Sequence, residues 1–220
     1  GARLALAARD APSLETLAKS LPCQTGVDLV VLPCTLTETE SIPGTLEAAG
    51  RALGGLDAMM ICFGILGGDE ARASQPACAE VLHVNFNTQA LWALEAAQYL
   101  GAQGGGHVLA VTSVAGARGR AALLPYCAAK AGLSVFLEGL RQSVHPLGVH
   151  VTDIRPGRVR TPMTAHLPAG SLTASADAMG RAIARVFFSK RRVVYLPGWW
   201  RWIMWVVRMI PEGLLRRLNF

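Results

Sequence analysis

Short apolar runs alternate with amphipathic segments along most of the chain. Six runs have the length and the Val, Leu, Ile and Ala content of buried strands, at residues 3–8, 27–32, 58–63, 107–111, 149–154 and 193–196. The segments between them that place apolar side chains at helical spacing are residues 13–21, 41–53, 125–140 and 176–189. Strands that alternate with helices predict βαβ units, and therefore an α/β fold with a doubly wound parallel sheet.

Length and composition agree with that fold. A chain of 220 residues with 51% hydrophobic content is large enough for one α/β domain whose sheet is covered on both faces. The five cysteines show no C-x-x-C spacing, so neither a metal site nor a disulfide framework is indicated. We expect them to be small core residues of a protein in a reducing compartment.

Three polar residues follow the strand predicted at residues 107–111. Tyr126 and Lys130 stand four apart on the following helix, so they share one face, and Ser113 lies at the strand's end. A fixed ammonium favours the phenolate, and we therefore expect Lys130 to lower the pKa of Tyr126. Ser113 can bond the same substrate oxygen, and the set suits proton transfer at an alcohol or ketone. The alternative, an ordinary surface pair on a helix, does not account for the position of Ser113.

This layout of Ser113, Tyr126 and Lys130 resembles the short-chain dehydrogenase/reductase family. The resemblance implies a Rossmann-type sheet and a nicotinamide cofactor that reduces carbonyls or oxidises alcohols. It also implies that Tyr126 is the proton donor, that Lys130 lowers its pKa and holds the nicotinamide ribose, and that Ser113 polarises the carbonyl. Asn85, in the predicted helical stretch V-N-F-N, would anchor a proton-relay water; without the resemblance it is a polar residue inside a helix.

The same resemblance assigns cofactor contacts in the first half of the chain. Where relatives that use NAD carry an acidic residue, this chain has Ala8 followed by Arg9. An Arg can pair with a 2′-phosphate, so NADP(H) is favoured; an Arg that is only solvated would leave the preference open. Thr35 takes the position of the adenine contact, which we expect to be weaker than usual. Gly64, in I-C-F-G, would let the backbone approach the cofactor.

A second set of contacts follows the strand predicted at residues 149–154, in R-P-G-R-V-R-T-P-M-T-A-H-L. By resemblance, Pro156 and Gly157 shape the nicotinamide pocket and Thr161 reaches the carboxamide of the cofactor. Residues 163–178 are predicted to be a substrate lid with little regular structure. Within it, His166 either meets a substrate phosphate or faces solvent.

Two stretches are similar to one subgroup of the family, which includes decaprenylphosphoryl-2-keto-erythro-pentose reductase. They are I-L-G-G-D-E after Gly64, and the spacing of Arg158 and Arg160 with the M-T-A-H-L that follows. This resemblance implies reduction of a lipid-linked keto-sugar such as a polyprenyl-phosphate derivative.

The beginning of the sequence lacks a unit that the family has. Relatives start with a strand and a Gly-rich turn whose amides meet the cofactor pyrophosphate. This sequence starts after both, at Gly1. We therefore expect it to be an incomplete sequence of a longer protein. Because the missing strand is central in a 3-2-1-4-5-6 sheet, we expect the strand at residues 3–8 to be separated from that at 58–63. We also expect low stability and weak cofactor binding.

The basic charge is concentrated near the carboxyl end. The net charge is +6, and from Arg181 onward the chain carries nine Lys or Arg and one acid, so the preceding part is slightly acidic. Such asymmetry indicates a polyanionic partner, either nucleic acid or an anionic membrane. We predict a Rossmann-type domain over residues 1–196 and a basic, Trp-rich segment over residues 197–220.

The Trp-rich segment is predicted to be an amphipathic helix. Arg201 and Arg208 fall on one side, and the other side holds Trp199, Trp202, Ile203, Val206 and Ile210. This composition is typical of a helix in a membrane interface, with Arg216 and Arg217 near anionic lipid. The alternative is a lid or dimer-packing helix, whereas nucleic-acid binding is less suited to the Trp content.

The sequence therefore predicts an NADPH-dependent oxidoreductase that reduces a ketone on a lipid-linked substrate at the cytoplasmic face of a membrane. Family analogy also favours a homo-oligomer. One alternative is a reductase of another lipid ketone, sphingoid or steroid-like. A second is a degenerate binding protein, against which Ser113, Tyr126, Lys130 and Asn85 all argue.

Overall fold

Parallel strands with helical crossovers form the framework of the protein. The computed structural model describes residues 2–21, 29–165, 170, 172–215 and 217. The strands are β1 (Leu4–Ala8), β2 (Leu29–Pro33), β3 (Ala58–Ile61), β4 (Gly106–Val111), β5 (Val149–Pro156), β6 (Val159–Arg160), β7 (Ala174–Ser175) and β8 (Val193–Leu196). The α-helices are α1 (Ala11–Ser20), α2 (Ile42–Leu53), α3 (Glu70–Ala73), α4 (Gln75–Leu82), α5 (Gln89–Ala102), α6 (Leu124–Ser143), α7 (Ala176–Val186), α8 (Trp200–Met209) and α9 (Glu212–Leu215).

The main sheet has four parallel strands in the order β3-β4-β5-β8. Parallel neighbours need a crossover connection, and α5, α6 and α7 lie in the three crossovers. Strands β1 and β2 form a separate parallel pair, and β6 and β7 form another. The predicted α/β fold with a parallel sheet is confirmed, and β1 lies apart from β3 as expected from the sequence.

Helices cover both faces of the main sheet. On β4, Val108 belongs to a core that also contains side chains of α2, α5 and α6, whereas the next residue, Leu109, belongs to a second core with α7 and β8. Successive side chains of a strand point to opposite faces, which is why one apolar run serves two cores. Trp92, 1% exposed, fills the first core, and its Nε1 donates to the Leu36 carbonyl at 2.9 Å. Burial of each large apolar side chain contributes about 1.5–3 kcal/mol.

The segment predicted to be a lid contains short regular elements. In its described part, β7 pairs with β6, and residues Pro162–Thr164 form a 3-10 helix closed by a capping box between Thr161 and Thr164. The expectation of little structure is therefore wrong for these residues, because two threonines cap the 3-10 helix and backbone pairing joins β7 to β6. His166 lies outside the described residues.

The cysteines do not all behave as core residues. Cys127 is buried, but Cys62 is exposed, and both have free thiols, as do Cys34 and Cys78. The expectation of core cysteines is thus wrong for Cys62, which follows the end of β3 at Ile61 and lines an open cavity. Cys23 lies outside the described residues.

Candidate active site

Ser113 stands at the carboxyl edge of the main sheet, two residues after the end of β4. Its backbone is extended, and its Oγ accepts a hydrogen bond from the Ala115 amide at 3.1 Å, which starts the 3-10 helix Val114–Ala117. This cap fixes the hydroxyl at the point where the chain leaves the sheet. Ser113 therefore occupies the edge that the sequence predicts.

Tyr126 and Lys130 lie on the first two turns of α6, on one face as predicted. Tyr126 is half-buried, and the Ser113 side chain lies close enough to its phenol to lower the pKa. Lys130 is only 3% exposed. Its Nζ donates to the Gln89 Oε1 at 3.2 Å and to the Val111 carbonyl at 3.0 Å. The ammonium is thus held inside the protein by two oxygen acceptors, one on α5 and one on β4.

Burial dominates the ionisation of both groups. It raises the pKa of the Tyr126 phenol, and the hydrogen bond with Ser113 only partly offsets this. Burial also lowers the pKa of Lys130 to about 8, against the opposing attraction of Asp153 and Cys62. The expectation of a lowered pKa for Tyr126 is wrong, because burial is the largest effect on the phenol and the Lys130 ammonium is bonded to Gln89 and Val111. The phenol is therefore held in its acid form at neutral pH.

Asn85 lies in a π-helical turn, His83–Thr88, between α4 and α5. It is fully buried, and its side chain accepts from the Ile65 amide at 3.1 Å and donates to the Ile65 carbonyl at 2.8 Å. A β-carbon on Gly64 would lie 2.5 Å from Asn85 Oδ1, so only glycine permits this approach. Single π-turns inside helices occur frequently at functional sites. Here the turn joins Asn85 to the loop that follows β3.

Gln89 is a site residue that the sequence analysis missed. It is fully buried, its Nε2 donates to the Phe63 carbonyl, and its Oε1 accepts from Lys130. Gln89 therefore connects the lysine to the end of β3. The available signal was its spacing, because Gln89 lies four residues after Asn85 and hence on the same side of the helix.

The Pro156–Gly157 turn closes the site from β5. The Gly157 amide donates to the Leu196 carbonyl at 2.9 Å, which ties the turn to β8. A β-carbon at Gly157 would overlap the indole nitrogen of Trp200, so glycine is required by the close packing of α8. Trp200 is a second site residue that the sequence analysis did not identify. It makes the Trp-rich helix part of the wall.

These elements enclose a cavity of about 620 Å³ at the carboxyl edge of the main sheet. Of the residues predicted for the site, those that line it are Gly64, Asn85, Ser113, Tyr126, Lys130, Pro156, Gly157 and Thr161. Arg9 follows β1 and Thr35 follows β2, and neither lines the cavity. The structure thus brings together the predicted catalytic groups and one part of the predicted cofactor contacts.

The cavity wall is suited to a polar, anionic ligand. Among its described lining residues, Arg120, Lys130 and Arg158 are cationic, and none is an Asp or Glu. Within the described part of the chain, two buried groups in the wall, Trp200 Nε1 and Thr173 Oγ1, have no hydrogen-bond partner. Buried donors are normally satisfied, so these two atoms fit the polar groups of a bound dinucleotide or substrate.

Comparison with known proteins defines the class. The sequence profile described as short chain dehydrogenase matches residues 1–172. An uncharacterized oxidoreductase of Streptomyces coelicolor is 34% identical over 99% of this chain and 86% of its own length. The chain therefore belongs to the short-chain dehydrogenase/reductase family, and it is an oxidoreductase of the dehydrogenase/reductase type.

Solved structures agree on the fold. A short chain dehydrogenase from Burkholderia cenocepacia in complex with NADP has a TM-score of 0.79 at 18% identity, covering 97% of this chain and 85% of that one. A 3-oxoacyl-[acyl-carrier protein] reductase from Brucella melitensis in complex with NAD has a TM-score of 0.75 at 20% identity, covering 88% and 85%. The Rossmann-like arrangement of parallel strands and helices is common to all three.

Proposed function

We propose that the protein uses NADPH to reduce a ketone to a secondary alcohol on a lipid-linked substrate that carries a phosphate. The observation that carries this proposal is the cavity itself, whose lining holds Ser113 and Tyr126 together with the cationic side chains of Arg120, Lys130 and Arg158. A phosphate-bearing ligand suits a site that contains Arg120 and Arg158 in addition to Lys130, with no acidic side chain among its described lining residues.

The chemistry needs a hydride and a proton. NADPH, when bound, supplies the hydride to the ketone carbon. Tyr126 donates its phenolic proton to the ketone oxygen, and its raised pKa keeps that proton in place at neutral pH. Ser113 gives the same oxygen a hydrogen bond. Lys130 would hold the nicotinamide ribose of the cofactor, and Gln89, which accepts a hydrogen bond from its Nζ, positions the lysine.

The residues that would hold the cofactor fall into two groups. Gly64, Lys130, Pro156, Gly157 and Thr161 line the cavity and would hold the nicotinamide end. Thr35 and Arg9 follow β2 and β1 and would hold the adenine end. Arg9 is exposed and carries the preference for the 2′-phosphate of NADPH.

Replacing Arg9 with Glu should raise the KM for NADPH by roughly 10- to 100-fold, because a charge-assisted hydrogen bond to the phosphate is lost and replaced by repulsion. The KM for NADH should stay the same or fall. Steady-state kinetics with both cofactors measures the change. Arg51→Glu, an exposed position on α2, is the control and should alter neither value. An equal change for both cofactors would refute the assignment of Arg9.

The substrate class is tested by supplying lipid ketones with NADPH in detergent. We expect turnover of a polyprenyl-phosphate keto-sugar, as in the subgroup of decaprenylphosphoryl-2-keto-erythro-pentose reductase, and a kcat/KM at least tenfold lower for a neutral sphingoid or steroid-like ketone. A higher kcat/KM for the neutral ketones would overturn the phosphate-bearing class. Absence of turnover with every ketone, together with retained NADPH binding, would indicate a binding protein instead.

A further inference from the structure

Helix α8 has two apolar faces, and only one of them is covered by protein. The inner face holds Trp200, Met204 and Val207, which pack with Val114 in a small core beside Ser113. The other face is open to solvent. Its five members are exposed by 40–65%: Trp199, Trp202, Trp205, Val206 and Met209.

The exposed side chains form one continuous strip. At 100° per residue they span an arc of about 120°, and Arg201 and Arg208 lie along one edge of it. The Arg201 guanidinium stacks over the Trp202 ring, 4.6 Å from its centroid. The sequence grouped Ile203 with this face, but Ile203 is half-buried and packs inward, so that part of the expectation is wrong. We call the five exposed side chains and the two arginines the α8 outer face.

The α8 outer face is held rigidly next to the active site. The Arg118 guanidinium donates to the Arg208 carbonyl at 3.3 Å and to the Ile210 carbonyl at 3.0 Å, which caps the carboxyl end of α8. Arg118 belongs to the loop that follows Ser113. At the other end, Trp200 packs on Gly157 in the cavity wall. The outer face and the cavity are thus two sides of one rigid element.

We propose that the α8 outer face docks in the interface of an anionic lipid bilayer, on the cytoplasmic side of a membrane. Trp side chains favour the headgroup region, and bordering arginines favour anionic lipid. Helix α8 has ten residues, about half of what a span requires. In the described part of the chain, one helix, residues 121–143, is apolar enough and long enough to span a membrane. Its Leu133 and Leu137 are buried in the core of the protein.

Charge favours a membrane over a second copy of the chain. From Arg181 onward the sequence has nine basic residues and one acidic one. Arg201 and Arg208 are the members of this basic set that lie on α8, and a twofold contact through α8 would bring the arginines of one copy towards those of the other, because a symmetric interface pairs identical patches. An anionic membrane surface complements the same charge.

This proposal rests on the proposed function for its biological role. A membrane-bound surface beside the cavity would give the active site access to a lipid-linked substrate. Its test needs neither substrate nor cofactor. Absence of vesicle binding with intact ketone reduction would defeat the docking alone, and vesicle binding without reduction would defeat the proposed reaction alone.

The experiment is co-sedimentation of the full chain with vesicles of phosphatidylcholine, with and without phosphatidylglycerol. We expect binding to the mixed vesicles with a blue shift of Trp fluorescence, and at least tenfold weaker binding to phosphatidylcholine alone. Trp202→Ser combined with Trp205→Ser should weaken binding to mixed vesicles by roughly tenfold or more. Phe188→Ser, which removes a more exposed aromatic side chain outside α8, is the control and should bind as the parent protein does.

The charge is tested separately. Arg201→Glu with Arg208→Glu should weaken binding by at least about thirtyfold, since each arginine near anionic lipid strengthens it about fivefold. Arg181→Glu with Arg185→Glu, exposed on α7, matches the change in net charge and should have a smaller effect. Thermal unfolding shows that each variant folds. Equal effects of both arginine pairs, unchanged binding of the Trp variant, or a dimer that the Trp variant dissociates would each overturn the proposal.

Discussion

Replacing Tyr126 with Phe should lower kcat for ketone reduction by roughly 10²- to 10⁴-fold, because the phenol supplies the proton that the reduced oxygen needs. The ring remains, so packing in α6 is preserved. Steady-state NADPH oxidation measures the rate. A fluorescence titration should show NADPH binding unchanged, since the lost hydroxyl acts on the substrate.

Tyr99→Phe is the matched control for this change. Tyr99 lies on α5, beside Gly50 of α2 and outside the lining of the cavity, so the same loss of a hydroxyl should leave kcat unchanged. Retained turnover in Tyr126→Phe would remove Tyr126 from its role as proton donor. A loss of NADPH binding of the same size as the loss in kcat would instead assign Tyr126 to cofactor binding.

The sequence was sufficient for those parts of the site that depend on local spacing. Tyr126 and Lys130 are four residues apart on one helix, so their shared face follows from the helical period alone. Ser113 follows a buried apolar run, which predicts its position at the strand end. The separation of β1 from β3 could also be predicted, because the strand order of a doubly wound sheet is a property of the family fold.

The direction of the Lys130 side chain could not be predicted from spacing. It depends on Gln89, which is on another helix, and on the π-helical turn that sets the rotation of that helix. Neither tertiary packing nor an extra residue in a turn leaves a periodic signal in the sequence. The expected direction of the Tyr126 pKa was wrong for the same reason, since burial in the assembled site raises this pKa by more than Ser113 lowers it.

The faces of α8 show a similar limit. Composition indicated an amphipathic, Trp-rich helix, and the helix is present. The sequence did not distinguish an apolar side chain that packs inward, such as Trp200, from one that stays exposed, such as Trp202. That distinction depends on which side of α8 packs against the loop after Ser113. It matters for function, because the inward Trp lines the cavity and the outward one forms part of the α8 outer face.

Replacing Lys130 with Met should abolish most activity and alter the pH dependence of stability. In the folded protein the pKa of Lys130 is lowered from 10.5 to about 8. Below pH 8 both the folded and the unfolded chain carry the proton, and burial of the charge costs roughly 3 kcal/mol. Between pH 8 and 10.5 the unfolded chain binds more protons, so the parent protein gains stability as the pH rises. The methionine side chain of the variant does not titrate, so the variant lacks this gain.

Denaturant unfolding at pH 7 and pH 10 measures the effect. Relative to Lys130→Met, the parent protein should gain roughly 2–3 kcal/mol between the two pH values. Hydrogen bonds lost by Gln89 and Val111 shift the stability of the variant equally at both pH values, so they cancel in this difference. Lys19→Met, at an exposed position on α1, should follow the parent protein. A pH difference for Lys130→Met equal to that of the parent would show that the buried lysine does not titrate in this range, and that its proton is held by Gln89 and Val111 more firmly than burial alone allows.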